Sequence, residues 1–261
     1  MPYARLKNFK MYYEEYGRGE PVIFLHGFTL DRRMWTPQII FFSRFYRVIL
    51  PDARGHGLSE APESGYSRAD RVEDLVQFAD NMKIDRFHAV GLSMGGSTVL
   101  GFALKYPEYL KSLALVSSGA AGYDIGKKIS RIDELARTRG IEVAREKWKD
   151  ISLNWFGEDK KTIRDLMETM INEHSGAVWK DPRRGHYPRE YDLDKIHLIK
   201  IPTEIICGSL DKIFTGLGKL LNEKIKGSCL KIFENVGHMV NLETPARFNE
   251  ELKLFLEGAD G

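Results

Sequence analysis

The chain has few cysteines and no long apolar run, and these absences exclude several protein classes. Its 261 residues include two cysteines, Cys207 and Cys229, so neither a disulfide framework nor a cysteine metal site is expected. Both lie in apolar segments typical of strands, where a buried thiol packs as a small hydrophobe. No run of about 18 apolar residues occurs, and the first residues lack the apolar segment of a secretory signal. We therefore expect a cytoplasmic protein that does not engage a membrane.

The chain also has almost no net charge. Lys and Arg together number 39 against 37 Asp and Glu, which leaves a net charge of +2. A balance of this kind gives no reason to expect nucleic acid or an anionic membrane as partner. Internal repeats and low-complexity segments are lacking as well. The sequence leaves a globular domain with small-molecule chemistry as the expectation, and nothing in it indicates an oligomeric state.

Short apolar runs alternate with amphipathic stretches over most of the chain. Runs without polar alternation are typical of strands buried on both faces. Ser67 and Asp70 form a capping-box pattern ahead of one helix, Pro107 ends another, and Thr244 with Pro245 opens the last. The predicted strands are 3–6, 10–15, 21–25, 46–50, 87–92, 113–116, 203–207 and 230–233.

Strand signals disappear between Gly119 and about Glu190, where charged amphipathic stretches predict a helical insertion. We therefore predict a core made of residues 1–118 and 191–261, and an insertion over 119–190. Alternating strands and helices indicate an α/β fold with a mostly parallel sheet covered by helices on both faces. Sites in such sheets form at the carboxyl ends of the strands.

One serine stands between two glycines directly after a predicted strand and before a predicted helix. Ser93 lies between Gly91 and Gly95, in the pattern that exposes a nucleophile on a sharp strand-to-helix turn. Glycine suits the flanking positions because a Cβ there would collide with the neighbouring strand or helix. The bare pattern occurs by accident in roughly one chain in eight of this length. Its context therefore decides what it means.

A serine hydroxyl needs a base to accept its proton, and the base needs an acid to orient it. His238 follows the last predicted strand, and Asp211 follows the strand before it. Asp194 and Glu204 lie near Asp211 in sequence and compete with it for the role of the acid. Ser93, Asp211 and His238 occur in the order nucleophile, acid, base, which is expected for one fold.

Four motifs together make the chain resemble the α/β-hydrolase superfamily, and in particular its serine hydrolases of the carboxylesterase and enol-lactonase type. The resemblance implies a mostly parallel, eight-stranded sheet flanked by helices, with the segment 119–190 as a helical cap. The motifs are His26-Gly27-Phe28, Asp52-Ala53-Arg54-Gly55-His56-Gly57-Leu58-Ser59, Gly91-Leu92-Ser93-Met94-Gly95 and Gly237-His238-Met239-Val240-Asn241-Leu242-Glu243-Thr244-Pro245.

The resemblance also implies roles for individual residues. Ser93 matches the nucleophile, Asp211 the orienting acid and His238 the base. The backbone N–H groups of Met94 and Phe28 match the donors of the oxyanion hole, and Met94 lies at a helix N-terminus that favours negative charge. This chemistry needs neither a metal nor an organic cofactor.

Tryptophan side chains are candidates for the walls of an acyl or alcohol pocket. They are Trp35, Trp148, Trp155 and Trp179. Aromatic residues of cap helices also pack the cap itself, so both interpretations stay open for each of the four.

Position 93 has serine rather than aspartate, which favours acyl chemistry. The haloalkane dehalogenases and epoxide hydrolases of this fold instead attack carbon with a carboxylate. The leading hypothesis is hydrolysis of a small-molecule carboxylic ester through an acyl-enzyme. Enol-lactonases and hydrolases of carbon–carbon bonds have similar elbows, so a lactone or a carbon–carbon substrate is the alternative. The menaquinone-pathway synthase of this fold tends to carry arginine shortly after the glycines that flank the serine. This chain has Ser97 there, which disfavours the synthase activity. A small-molecule receptor with a retained triad is a further alternative from another class.

Overall fold

The strands form one eight-stranded sheet in a computed structural model that describes residues 2–123, 127–156, 160–181 and 192–260. Within these ranges the strands are β1 (Tyr3–Arg5), β2 (Lys10–Tyr16), β3 (Pro21–Leu25), β4 (Arg47–Pro51), β5 (Phe87–Leu92), β6 (Leu110–Val116), β7 (Thr203–Gly208) and β8 (Cys229–Phe233). Their order across the sheet is β1-β2-β4-β3-β5-β6-β7-β8. The β1–β2 and β2–β4 pairs are antiparallel, and strands β3 to β8 are all parallel to their neighbours from β4 onward.

Helices connect the strands and cover the sheet. Those in the described residues are α1 (Thr36–Phe42), α2 (Arg68–Asn81), α3 (Met94–Lys105), α4 (Lys127–Arg139), α5 (Ile141–Ser152), α6 (Lys161–Glu173), α7 (Ala177–Lys180), α8 (Asp192–Lys195), α9 (Lys212–Lys224), α10 (Val240–Glu243) and α11 (Pro245–Asp260). The predicted α/β fold with a mostly parallel, eight-stranded sheet is confirmed. None of these helices is long and apolar enough to cross a membrane.

The continuous apolar runs form strands because both faces of the sheet are covered. In β3, Val22 and Phe24 belong to one hydrophobic cluster, while Ile23 between them belongs to the cluster on the other face. All three are fully buried. Successive strand residues point to opposite faces, so a strand buried on both sides needs an apolar residue at every position.

Helix α2 begins at the predicted capping box. The Ser67 hydroxyl accepts the Asp70 backbone N–H, and the Asp70 carboxylate accepts the Ser67 N–H in return. These two bonds satisfy donors that a helix N-terminus otherwise leaves open. They fix the start of the helix that carries Arg68 and Arg71.

Among the described residues five helices lie between β6 and β7. The last of them, α8, leads back to the sheet, and the first four, α4 to α7, are here called the inserted helices. They occupy the segment in which the strand signals disappear, and no strand lies among the described residues between 119 and 181. The predicted end of the insertion at residue 190 lies outside the described residues.

The two cysteines have different environments. Cys207 in β7 is buried, whereas Cys229 at the start of β8 is exposed. The expectation that both thiols are buried is therefore wrong for Cys229, because β8 is the last strand of the sheet and its first residue faces solvent.

Glu204 is a buried carboxyl near the beginning of β7, at the end of this strand remote from Asp211. Its side chain is almost fully buried, and its Oε2 atom has no hydrogen-bond partner among the described residues. Burial, with a smaller contribution from Glu251, raises the pKa of Glu204 to about 8. The folded protein therefore holds a proton there that the unfolded chain releases at lower pH.

This proton makes the free energy of unfolding fall with rising pH. The pKa is raised on folding, so full stability exists below the ordinary value of 4.5 and is lost as the pH rises through about 8. We expect Glu204→Gln to raise the free energy of unfolding at pH 8 by about 4 kcal/mol and to change it little at pH 4.5. Urea denaturation at both pH values measures this difference, with the exposed Glu223→Gln as control. Equal effects of Glu204→Gln at the two pH values would contradict the assignment.

Candidate active site

Ser93 lies on a sharp turn between β5 and α3. Its backbone has φ 55° and ψ −106°, a conformation that is costly for a residue with a side chain. Hydrogen bonds hold it there, because its N–H donates to the Val116 carbonyl and its own carbonyl accepts the N–H groups of Ser97 and Gly119. This is the geometry of the nucleophile elbow, in which the hydroxyl projects at the carboxyl end of the sheet.

The glycines on either side of Ser93 are required by close contacts of the backbone. A Cβ on Gly95 would lie 2.2 Å from the carbonyl oxygen of Leu25 in β3, and a Cβ on Gly91 would lie 2.5 Å from the Gly95 backbone. Both contacts are shorter than real carbon atoms make, and main-chain atoms cannot turn away. The pattern of glycines in the sequence therefore has a steric cause.

Asp211 and His238 come together at the carboxyl ends of β7 and β8. The Nδ1 atom of His238 lies 2.5 Å from the Oδ2 atom of Asp211. The histidine ring is buried, and the Asp211 carboxylate also accepts the Phe214 N–H at the start of α9. A carboxylate only accepts, so Nδ1 carries the proton and Nε2 is left to accept another. Neither competing acid pairs with His238, since Asp194 is exposed on α8 and Glu204 lies at the other end of β7.

The loop that carries His238 is held by a buried carboxylate of α10. Glu243 accepts the N–H of Gly237 at 3.0 Å and the N–H of Met239 at 3.2 Å. Burial raises the pKa of Glu243, and these two bonds oppose the rise. A further bond joins the His238 N–H to the carbonyl oxygen of Trp155 at 3.0 Å. Sequence reasoning gave Glu243 no role, although a carboxylate five residues after the histidine is visible in the quoted motif.

The loop after β3 contributes Phe28 to the site. Both ring nitrogens of His26 bond to the backbone: Nδ1 donates to the Gly27 carbonyl at 2.8 Å, and Nε2 accepts the Ala53 N–H at 2.9 Å. His26 thus joins this loop to the one after β4. With both nitrogens engaged in this way, the ring organises the loops and has no nitrogen left for proton transfer.

A cavity of about 140 Å³ joins these parts. Ser93, Met94, Phe28 and His238 all line it. Most of its wall is apolar, and the inserted helices supply several of the side chains. Those wall residues of the inserted helices and of the turn that follows α5 are Trp148, Ser152, Trp155, Met167 and Val178.

The four tryptophans divide into two pairs. Trp148 and Trp155 line the cavity, whereas Trp35 and Trp179 are not among the described residues that do so. Trp35 is instead a core residue, fully buried between Phe24 and Phe248. Trp179 is also fully buried, and its ring packs behind that of Phe28 with centroids 6.0 Å apart. Of the two interpretations left open for each tryptophan, packing therefore describes Trp35 and Trp179, and the pocket wall describes Trp148 and Trp155.

Comparison with known proteins identifies the family of the chain. Residues 20–245, most of the chain, match the family described as alpha/beta hydrolase fold. The chain belongs to the α/β hydrolase fold family. The predicted membership is therefore confirmed.

Relatives of this α/β hydrolase carry names of several activities. It is 28% identical to a putative 2-succinyl-6-hydroxy-2,4-cyclohexadiene-1-carboxylate synthase of Bacillus subtilis (strain 168), over 91% of this chain and 90% of the relative. It is 26% identical to 3-oxoadipate enol-lactonase 1 of Acinetobacter baylyi, over 87% and 85% of the two chains. A thermophilic esterase from Thermogutta terrifontis has a similar structure, with a TM-score of 0.85 at 25% identity over 96% and 94% of the chains.

The cavity of this α/β hydrolase has cationic side chains on one wall. Arg68 and Arg71 of α2 line it, and none of the described wall residues is acidic. Arg68 donates from Nε to the Ser97 carbonyl and forms an ion pair with the buried Asp192 at 2.7 Å. Arg71 donates from Nε to the Thr98 hydroxyl. The charge of Arg68 is thus balanced by Asp192, and the wall presents guanidinium groups that suit a ligand with oxygen acceptors. Among the described residues no group of His, Cys, Asp and Glu is arranged to hold a metal ion.

Proposed function

We propose that the chain is a serine hydrolase that cleaves a small-molecule carboxylic ester through an acyl-enzyme. The observation that carries the proposal is the 2.5 Å pairing of Asp211 with His238, on the same cavity as Ser93 at its strained turn. The family and the esterase and lactonase names among its relatives support the same chemistry. The inserted helices act as a cap in this proposal, because they supply part of the cavity wall.

The reaction uses three side chains, two backbone N–H groups and a water molecule. The Ser93 hydroxyl oxygen attacks the carbonyl carbon of the ester while His238 Nε2 accepts the hydroxyl proton. The negative oxygen of the tetrahedral intermediate accepts the backbone N–H groups of Phe28 and Met94, at the N-terminus of α3. The bond to the alcohol oxygen then breaks, and His238 gives its proton to the leaving alcohol. Asp211 stabilises the imidazolium throughout.

Water completes the cycle by the same route in reverse order. It attacks the acyl carbon and loses its proton to His238. The bond from the acyl carbon to Ser93 Oγ then breaks, the serine recovers the proton and the carboxylic acid leaves. The atoms balance without a metal or an organic cofactor.

A lactone is the second candidate substrate, since its ring ester is cleaved by the same steps. The specific observation in its favour is the presence of guanidinium groups on the cavity wall, which are donors suited to the oxygen atoms of a lactone or a carboxylate. The carbon–carbon hydrolases use the same triad and stay a further alternative.

A panel of p-nitrophenyl esters of increasing acyl length, neutral and carboxylate-bearing, together with an enol-lactone, tests the proposal. We expect turnover that depends on Ser93 and falls in acid, because a protonated His238 cannot accept the serine proton. The measurement is kcat/KM across pH for a substrate limited by chemistry. A profile that does not fall in acid would argue against the base, and no serine-dependent turnover on any substrate would favour the receptor alternative.

A further inference from the structure

Thr29 has a backbone conformation that its residue type disfavours. It follows Phe28 in the loop after β3 and has φ 61°, although it is branched at Cβ. Glycine or asparagine adopts this region at lower cost, whereas a β-branched residue there is a genuine outlier. Thr29 is almost fully buried. Such strain persists only where surrounding contacts enforce it, and it tends to occur at functional sites.

The Thr29 hydroxyl connects an inserted helix to the backbone of Phe28. The hydroxyl donates its single proton to the Phe28 carbonyl at 2.6 Å. It accepts the indole N–H of Trp148, from α5, at 2.7 Å. The two bonds run in one direction, from indole to hydroxyl to carbonyl, so each polarises the other. The bond from Trp148 to Thr29 is buried and the bond from Thr29 to Phe28 is partly buried, and the loss of a buried partner is expensive.

Residues 148–155, which run from the end of α5 into the turn after it, also contact the loop that carries His238. After α5 ends at Ser152, the carbonyl of Trp155 accepts the His238 N–H. The Trp148 and Trp155 rings meet edge to face, with centroids 5.4 Å apart. One end of residues 148–155 therefore bonds to Thr29 in the loop after β3, and the other end bonds to His238 in the loop after β8. If Trp148 only formed part of the cavity wall, its ring alone would be enough. Its indole N–H, however, also bonds to the hydroxyl of the strained Thr29.

We propose that Trp148 is a positioning residue for the reaction. Its indole N–H, acting through the Thr29 hydroxyl, holds the strained peptide after Phe28, and so keeps the Phe28 N–H directed at the oxygen that becomes negative. The inference rests on the proposed function. In the reacting enzyme, loss of the N–H misdirects a donor that matters most in the transition state, so kcat falls while KM changes little.

Trp148→Phe removes the N–H and leaves an aromatic ring against Phe28. We expect kcat to fall about tenfold, because the oxyanion donor is misaligned rather than deleted, with KM changed less than about threefold. Trp35→Phe is the matched control, since the Trp35 ring is buried in the core and its Nε1 atom has no hydrogen-bond partner in the described part of the chain. That variant is expected to keep the kcat of the wild type.

A double-mutant cycle tests the route through the hydroxyl. Thr29→Val keeps the branched shape and removes both bonds, so it should lower kcat as Trp148→Phe does. The double variant should be no worse than either single one. Thr29→Ser restores the hydroxyl and should recover most of kcat, which a purely structural role of the side chain would not produce.

The outcomes separate the two proposals. If the wild type neither turns over esters nor is labelled at Ser93 by a fluorophosphonate, the proposed function fails and this inference fails with it. If the wild type reacts but Trp148→Phe raises KM alone, or if the two losses multiply in the double variant, only the positioning role is overturned. A fall in kcat that Thr29→Ser recovers and that does not accumulate supports it.

Discussion

Ser93→Ala is expected to lower kcat/KM for p-nitrophenyl esters by about 10⁴-fold or more, because the group that forms the acyl-enzyme is gone. The residual rate should come from binding and the oxyanion donors alone. Substrate affinity should change little, since the hydroxyl is a small part of a largely apolar wall. The measurement is initial rates across substrate concentration, together with the loss of fluorophosphonate labelling detected by intact mass.

The control for this variant is an exposed serine elsewhere. Ser64→Ala alters an exposed side chain outside the residues that line the cavity and should keep wild-type rates. Thermal unfolding of Ser93→Ala should resemble that of the wild type, because the strained turn keeps its backbone bonds to Val116, Ser97 and Gly119. Activity within a few-fold of the wild type in Ser93→Ala would remove the nucleophile from the mechanism.

Asp211→Asn is expected to lower kcat by about 10³- to 10⁴-fold at neutral pH. An asparagine can offer its NH₂ group to Nδ1, which stabilises the tautomer whose Nε2 already carries a proton. It also lacks the charge that stabilises the imidazolium. Rates measured from about pH 6 to 9 should show the loss throughout, because neither effect is reversed by pH in this interval.

Asparagine at position 211 separates the proposed catalytic role of Asp211 from its structural role as a helix cap. The residue also accepts the Phe214 N–H at the start of α9, and asparagine is as good a helix cap as aspartate. The melting temperature of Asp211→Asn should therefore stay close to that of the wild type while activity collapses. Asp194→Asn is the matched control, because Asp194 is an exposed acid close to Asp211 in sequence and should have no effect. The opposite result would transfer the role of the acid to Asp194.

Much of the fold could be predicted because the sheet is covered on both faces. Strands β3 and β5 have the predicted bounds, since the middle three residues of β3 and all of β5 are buried. Helices α1 and α9 were not predicted. The sequence of α1 mixes polar and apolar residues over only two turns, and α9 contains two glycines, so neither gives a clear period.

The candidate site could be predicted where it depends on local geometry. The elbow follows from two glycines and a strand, and the order of the three residues follows from the fold. The sequence alone does not distinguish Asp194, Glu204 and Asp211 as partners of His238, since each is an acid in the same part of the chain. The distance from His238 to Asp211 identifies the partner. The direction of each tryptophan depends on how helices pack, which no local pattern encodes. Thr29 carried no signal, because a threonine does not indicate positive φ.

The bond between His238 and Trp155 joins main-chain atoms only. It therefore survives any side-chain replacement at either residue that preserves the backbone. The helices that supply the pocket wall can exchange bulky residues for small ones, and apolar for polar, without losing this attachment to the loop that carries His238. In the proposed mechanism a change of substrate range is thus separable from the position of His238, and libraries randomised at Trp155, Met167 and Val178 have a structural reason to retain activity.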